Sequence, residues 1–322
     1  MDLWTLSDLA TPWSLHVAAT LRVANRLEAG PMAIADLAAA VSADAGALAR
    51  ILRQLVSRGL FAEPTPGTFA LNDAARPLLD SMFLLGLDLN GMGGRMAGAW
   101  STLLTAVRTG RPAYAEVFGR GFWEDLDANP ALAAEFDAMM GPAGHGIPDP
   151  DVLIDPAEWP QIRTVADLGG GTGALLAEVL KAHPHLHGTL VDLPRTLARS
   201  GEIFAPAGLT HRVTLAPQSF FDPLPAGLDL YLVQRVLHDW PDREALTLLT
   251  RCAEAARPHG RVVILGGVTQ TPTADPDLLM LVLVGGKGRT VDELRALAGQ
   301  AGLDVRTGRN PQGRFLVECR PS

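Results

Sequence analysis

Four glycines in five positions, Gly169, Gly170, Gly171 and Gly173, follow closely on Asp167 in the stretch VADLGGGTGALL, residues 165–176. Glycine lets a backbone turn tightly and lets a ligand come close to it. An apolar strand entering such a loop, and a helix leaving it, is the setting in which doubly wound folds hold nucleotide-like ligands. The next apolar segment ends in Asp192, where such folds place an acid that accepts ribose hydroxyls. Gly169, Gly171 and Ala174 also satisfy the dinucleotide fingerprint GxGxxG/A. Charge separates two ligands. NAD would set a dianionic pyrophosphate beside Asp167, whereas S-adenosylmethionine has no phosphate and its ammonium and sulfonium are positive. The acid favours the second, and the fingerprint leaves an NAD-dependent oxidoreductase open.

A second stretch, QSFFDPLPAGLDLYLVQRVLHDWPDRE, covers residues 218–244. A strand is predicted over 228–233, so LHDW at 237–240 falls at the carboxyl edge of a sheet, the ligand side of an open α/β fold. An unperturbed imidazole titrates near ~6.5 and can take a hydroxyl proton as that oxygen attacks. His238 is therefore the candidate general base. Asp239 either supports it or caps the helix that Pro241, Asp242 and Glu244 open.

The elements that must position these groups follow from hydrophobic period. Strands are predicted at 164–168, 188–193, 212–215, 228–233 and 261–265, and a hairpin at 303–307 and 314–319 around NPQG (310–313). Helices are predicted at 174–182, 245–256 and 291–301. The alternation implies an α/β fold, a Rossmann-like doubly wound sheet of seven strands, mostly parallel, ending in an antiparallel hairpin.

The first 80 residues read differently. Trp13, Leu15, Val17, Leu21, Ala24 and Leu27 predict one helix ended by Gly30-Pro31, with further helices at 33–41 and 44–58. Short strands at 60–63 and 68–71 flank the turn PTPG. Three helices and a β-wing make a winged-helix pattern, which serves either DNA binding or dimerisation. Six arginines against eight acids give this stretch a net charge of −2, which lacks a basic footprint for DNA. A winged-helix regulator with a ligand-binding domain stays open as a third class. Leu6, Leu9, Trp13 and Leu15 are too apolar for a solvated N-terminus, which points to a homodimer.

The whole chain has 322 residues and a formal net charge of −8, with 48% hydrophobic and 19% charged residues. That fits two domains with sizeable cores and disfavours nucleic-acid and membrane-surface partners. Cys252 and Cys319 form no CxxC pair, so neither a disulfide framework nor a cysteine metal site is expected, and a cytoplasmic setting is. The apolar run at 278–284 is far short of the ~20 residues that span a bilayer. GPAGHGIPDP, residues 141–150, marks a boundary. The expected division is a winged-helix dimerisation domain at 1–80, a helical linker and acceptor lid at 81–150, and a cofactor-binding domain at 151–322.

Taken together, these residues resemble the S-adenosylmethionine-dependent small-molecule O-methyltransferases of the plant caffeate type and their bacterial natural-product relatives. The resemblance runs through FALND (69–73), GFWEDLDANP (121–130), DLGGGTG, TLVDLP (189–194), SFFDPLP, LHDW and GGKGRT (285–290). It implies a class I methyltransferase domain with an N-terminal α-helical winged-helix dimerisation domain, and an acceptor that is a small aromatic or polyketide-type natural product. It implies that Asp167 and the glycine loop hold the methionine part of S-adenosylmethionine. Asp192 would bind the ribose, Leu193, Ser219 and Phe220 would surround the adenine, and Gln234 and Arg235 would complete that site. His238 matches the general base, with Asp239 beside it. Phe122, Trp123, Phe136, Met139, Met140 and Met280 match the walls of an apolar acceptor pocket, and no metal is implied. The chain departs from the family at four places. Ser219 stands where Asp is frequent and Gln234 where Lys is frequent. Gly266 and Gly288 stand where two glutamates normally orient the histidine. Those departures leave open relatives that methylate nitrogen or carbon, or that have become hydroxylases, decarboxylases or pericyclases.

Overall fold

The computed structural model describes residues 2–141, 147, 149–150, 153–271, 277–309 and 315–322. The predicted boundary at 141–150 lies largely outside the described residues, as does the turn NPQG. The chain divides into two units, Met1–Gly98 with Pro130–Met139, and Ala99–Asn129 with Met140–Ser322.

In the first unit, the predicted single helix is two, Ala10–Thr20 and Val23–Leu27. The apolar spacing is helical on both sides, but Arg22 between them takes φ +56°. Local bonds secure the break: the Thr20 hydroxyl donates to His16 O and accepts from the Leu89 N–H, and Arg22 pairs with Asp88 at 2.7 Å. Helices Ile34–Ala40 and Ala45–Ser57 follow, the second with Leu48, Leu52 and Leu55 buried on one face and Asp44 capping its first turn through Ala47 N–H. The wing has three strands. Thr68–Ala70 lies between Ala62–Thr65 and an added pair of residues, Met32–Ala33. Phe61 also adopts a left-handed φ of +62°. Asn72 holds that turn, accepting from Phe61 N–H and donating to the carbonyls of Gly59 and Phe61. At the N-terminal end, Leu3, Trp4, Leu6 and Leu9 are all exposed, Trp4 at 87%.

The second unit is built on the expected seven strands. These are β1 (Thr164–Leu168), β2 (His187–Asp192), β3 (Val213–Pro217), β4 (Leu230–Gln234), β5 (Arg261–Leu265), β6 (Leu303–Arg309) and β7 (Phe315–Pro321). They stand in the order β6-β7-β5-β4-β1-β2-β3. All neighbours are parallel except β7, which is antiparallel to both β5 and β6. The order reverses direction between β1 and β4, which makes a crevice at their carboxyl ends. Period-2 alternation splits the core between the two faces. Ala166, Leu168, Tyr231 and Val233 pack with helices Asp242–Ala256 and Val291–Gln300 on one face, while Val165, Leu230 and Leu232 pack with helix Ala174–Ala182 on the other. Asp167 shares the parity of Val165 and so faces the glycine loop and its helix. Cys252 and Cys319 are both buried free thiols, and burial raises the pKa of each, to about 12 for Cys319.

Asn72→Ala should leave the donor and acceptors of the Phe61 turn unpaired. A loss of about 1–3 kcal/mol in chemical denaturation followed by circular dichroism is expected, and an unchanged midpoint would show that the turn holds itself.

Candidate functional site

β1 delivers Asp167 to the crevice with its side chain fully buried. Neither carboxylate oxygen makes a well-formed hydrogen bond. Burial, and after it the nearby charge of Asp192, pushes the pKa up to about 7, against a smaller opposing pull from the Leu176 amide. An orphaned buried carboxyl is costly unless something cationic or hydrogen-bonding meets it.

The loop around it requires glycine for two separate reasons. A Cβ on Gly170 would run into the Asp167 carboxyl itself, and one on Gly173 into the Phe204 ring. A Cβ on Gly169 would come within 2.7 Å of Val236 and 3.3 Å of Phe220. Gly169, Gly171 and Gly173 all have φ between +62° and +94°. Nothing lies within 4 Å of the position a Gly171 Cβ would take, so the loop opens there. The Gly171 N–H donates to Asp192 Oδ2 at 2.9 Å, and the Leu193 N–H to Asp192 Oδ1 at 2.7 Å. Asp192 thus ties the end of β2 to the loop. An open, glycine-lined crevice with two acids fits a cationic, ribose-bearing ligand such as S-adenosylmethionine.

Of the other expected cofactor residues, Phe220 reaches the loop at Gly169. The Ser219 hydroxyl accepts from the Phe221 N–H and shapes that turn. Gln234 closes β4, and Arg235 follows it at φ +53°, its N–H donating to Leu265 O at 2.7 Å.

LHDW forms a single 3-10 turn, Leu237–Asp239, directly after β4. His238 and Asp239 are both about four-fifths buried, with Nε2 and Oδ1 3.5 Å apart. Burial pushes the Asp239 pKa up to about 7. Asp239 does not cap the following helix, whose N-cap position is Pro241 with no side-chain bond. The His238 ring lies against Gly267, where a Cβ would fall 2.5 Å from the His238 Cβ and 2.8 Å from Nδ1. That leaves Nε2, on the Asp239 side, as the reachable nitrogen. Gly266, the position expected for one orienting acid, abuts the Arg235 side chain, and its neighbour Gly267 packs on the histidine. The other missing acid, at Gly288, has its place taken. Asp277 Oδ2 accepts the Gly288 N–H at 2.8 Å and lies 2.6 Å from where its Cβ would stand.

Aromatic rings link this turn to the rest of the second unit. Trp240 meets Phe221 and Phe220 edge-on and stacks on Trp123 at 5.7 Å. Trp123 in turn meets Phe122, which is buried against Tyr114. Met280 is half-buried on helix Leu278–Leu283 and Met140 is exposed. Phe136 and Met139 are half-buried on helix Pro130–Met140 and belong to the first unit. Lys287 of GGKGRT pairs at the surface with Asp242 and Glu293. Sequence reasoning missed Trp240 and Asp277. Trp240 sits inside the LHDW motif and was legible; the second carries no local signal. Among the described residues, no three His, Cys, Asp or Glu gather as a metal site, and no helix is long and apolar enough to cross a membrane.

Comparison with known proteins gives two family matches. The O-methyltransferase domain matches residues 100–304 and the O-methyltransferase dimerisation domain residues 4–81. The chain is 41% identical to the 2,7-dihydroxy-5-methyl-1-naphthoate 7-O-methyltransferase of Streptomyces carzinostaticus, over 95% of this chain and 93% of that one. It is 40% identical to aclacinomycin 10-hydroxylase of Streptomyces purpurascens, over 94% and 84%. Its structure matches that of an O-methyltransferase from neocarzinostatin biosynthesis, crystallised with S-adenosylmethionine and 2-hydroxy-5-methyl naphthoic acid. There the TM-score is 0.88 at 39% identity, covering 100% of this chain and 99% of the other.

A cation against Asp167 favours the carboxylate, so binding should lower its pKa from about 7 and release protons. S-adenosylhomocysteine affinity is expected to be full above pH 7 and to weaken toward pH 6, by at most about tenfold per unit. Asp167→Asn should weaken binding at pH 8 and flatten this dependence in calorimetric titrations. A pH-independent affinity in the unmodified enzyme would separate Asp167 from the ligand.

Proposed function

The chain belongs to the S-adenosylmethionine-dependent O-methyltransferase family, and on that premise we propose that it methylates a hydroxyl of a hydroxynaphthoate-type aromatic acid with His238 as general base. The observation that carries this reading is the placement of His238 on the turn leaving β4, next to the strand that delivers Asp167. Relatives at 41% and 39% identity bear names or ligands of the hydroxynaphthoate class, which supports the acceptor class.

S-adenosylmethionine supplies an electrophilic methyl group on sulfur. Everything else falls to the protein. Asp167 and the open backbone at Gly171 hold the cationic end, and Asp192 accepts the ribose hydroxyls. Phe220 flanks the adenine beside Leu193 and Ser219. A phenol ionises near ~10, so at neutral pH its proton must be removed as the oxygen attacks. His238 takes that proton on Nε2. Asp239, 3.5 Å from the same nitrogen, stabilises the imidazolium that results. Trp123 and Trp240 offer flat apolar surface for an aromatic ring and keep water from the oxygen.

The three-part division expected from sequence is part of the same proposal: dimerisation at 1–80, linker and lid at 81–150, cofactor domain at 151–322. A second copy of the chain covers the exposed Leu3, Trp4, Leu6 and Leu9, which is the simplest burial for an apolar face of a dimerisation domain.

Incubation with S-adenosylmethionine and a panel of hydroxynaphthoic acids should yield a product heavier by one methyl group, with S-adenosylhomocysteine in equal amount by mass spectrometry. An oxygenated or decarboxylated product would instead align the chain with its hydroxylase relative. His238→Ala should lower turnover about 10²–10⁴-fold with S-adenosylhomocysteine affinity nearly unchanged, and full turnover would remove the base role. Light scattering should give a dimer mass, and Trp4→Asp with Leu6→Asp should give monomers. A monomeric unmodified protein would end the dimer reading.

A further inference from the structure

Among the described residues, Arg289 is the most deeply buried cation near the candidate site, its side chain 1% exposed. A buried guanidinium left without partners would be strongly destabilising, so its partners define what it does. Nη1 donates to Leu237 O at 2.9 Å and Nη2 to Trp240 O at 2.8 Å. Nε and Nη2 both reach Asp242 Oδ1, at 3.0 and 2.8 Å. The two carbonyls lie immediately on either side of His238 and Asp239, and Asp242 opens the next helix. The guanidinium fork therefore pins both ends of the turn that carries the imidazole.

The backbone of Arg289 closes the same arrangement. Its N–H donates to Gly267 O at 2.8 Å, within a short parallel pairing of Arg289–Thr290 with Val268–Thr269. Gly267 is the residue against the His238 ring, and a Cβ on Gly286, in the loop leading to Arg289, would strike His238 O. Arg289 and Gly286 thus hold the histidine's backbone, while Gly267, whose carbonyl accepts the Arg289 N–H, lies against its ring.

We propose that Arg289 is the positioning residue for His238, fixing the turn so that Nε2 meets the acceptor hydroxyl. This rests on the reading of His238 as general base. Lysine would keep the charge but has no planar fork to span two carbonyls and a carboxylate.

The test compares Arg289→Lys, His238→Ala and the double variant by steady-state kinetics on a hydroxynaphthoic acid that the unmodified enzyme methylates, with S-adenosylhomocysteine titrations as a folding and binding control. Arg289→Lys should lower kcat about 10–100-fold, since small misplacements of a reacting group cost that much, with acceptor KM and S-adenosylhomocysteine affinity within about threefold. The double variant should be no slower than His238→Ala, because the arginine acts through the histidine. If Arg289→Lys fails to fold, Asp242→Ala loosens the same fork from its exposed end, and a smaller kcat loss with the same non-additivity is expected. A wild-type kcat in the folded fork variant, or losses that multiply in the double variant, would overturn the proposal while leaving the base reading intact. Full turnover by His238→Ala would overturn both, through the base reading.

Discussion

The buried carboxyl of Asp167 sets the terms for the second unit. It sits at the one place in the sheet where strand order reverses, cut off from water and from well-formed hydrogen bonds. Holding it there requires a loop with no side chains, because a Cβ on Gly170 would collide with the carboxyl and one on Gly173 with Phe204. The glycines are thus demanded both by the turn and by the acid they enclose. A second acid, Asp192, ties itself to the loop through the Gly171 amide and adds to the electrostatic strain on the first. In the proposed S-adenosylmethionine site, the cationic end of the ligand would offset both the burial and the mutual repulsion of the two acids.

The side of the crevice that carries His238 is organised by a different device. The histidine turn has no regular structure of its own to rely on, only three residues of 3-10 helix between a strand and a longer helix. It is held by contact with backbone from two other loops, at Gly267 and Gly286, and by bonds from one buried arginine. Aromatic packing then carries its position outward through Trp240 to Trp123. At Gly266 and Gly288, where the resemblance leads one to expect acids, this chain has glycines, and the Asp277 carboxylate fills the space beside Gly288. The Asp239 carboxyl lies 3.5 Å from Nε2, and its burial pushes its pKa up to about 7.

The first unit follows ordinary helix and wing logic, with one exception that local reading could not anticipate. The apolar period from Trp13 to Leu27 is continuous, yet the helix breaks at Arg22. Periodicity records which face is buried; it does not record that Thr20 and Arg22 have better partners at Leu89 and Asp88, 69 and 66 residues on. The wing gained a third strand for the same reason, since two residues at Met32–Ala33 are too few to show a period.

The order of strands and helices in the second unit, the glycine loop, Asp167, Asp192 and the histidine turn were all legible in the chain, because each depends on local period, local turn chemistry or a short motif. Which glycine meets His238, which carboxylate occupies the space at Gly288, and that Arg289 reaches back across 49 and 52 residues to Trp240 and Leu237 were decided by the tertiary structure. These are contacts between loops from different strands, and their partners are set by the sheet order that brings those strand ends together. A sequence states the spacing along the chain, and only the folded sheet states which ends become neighbours.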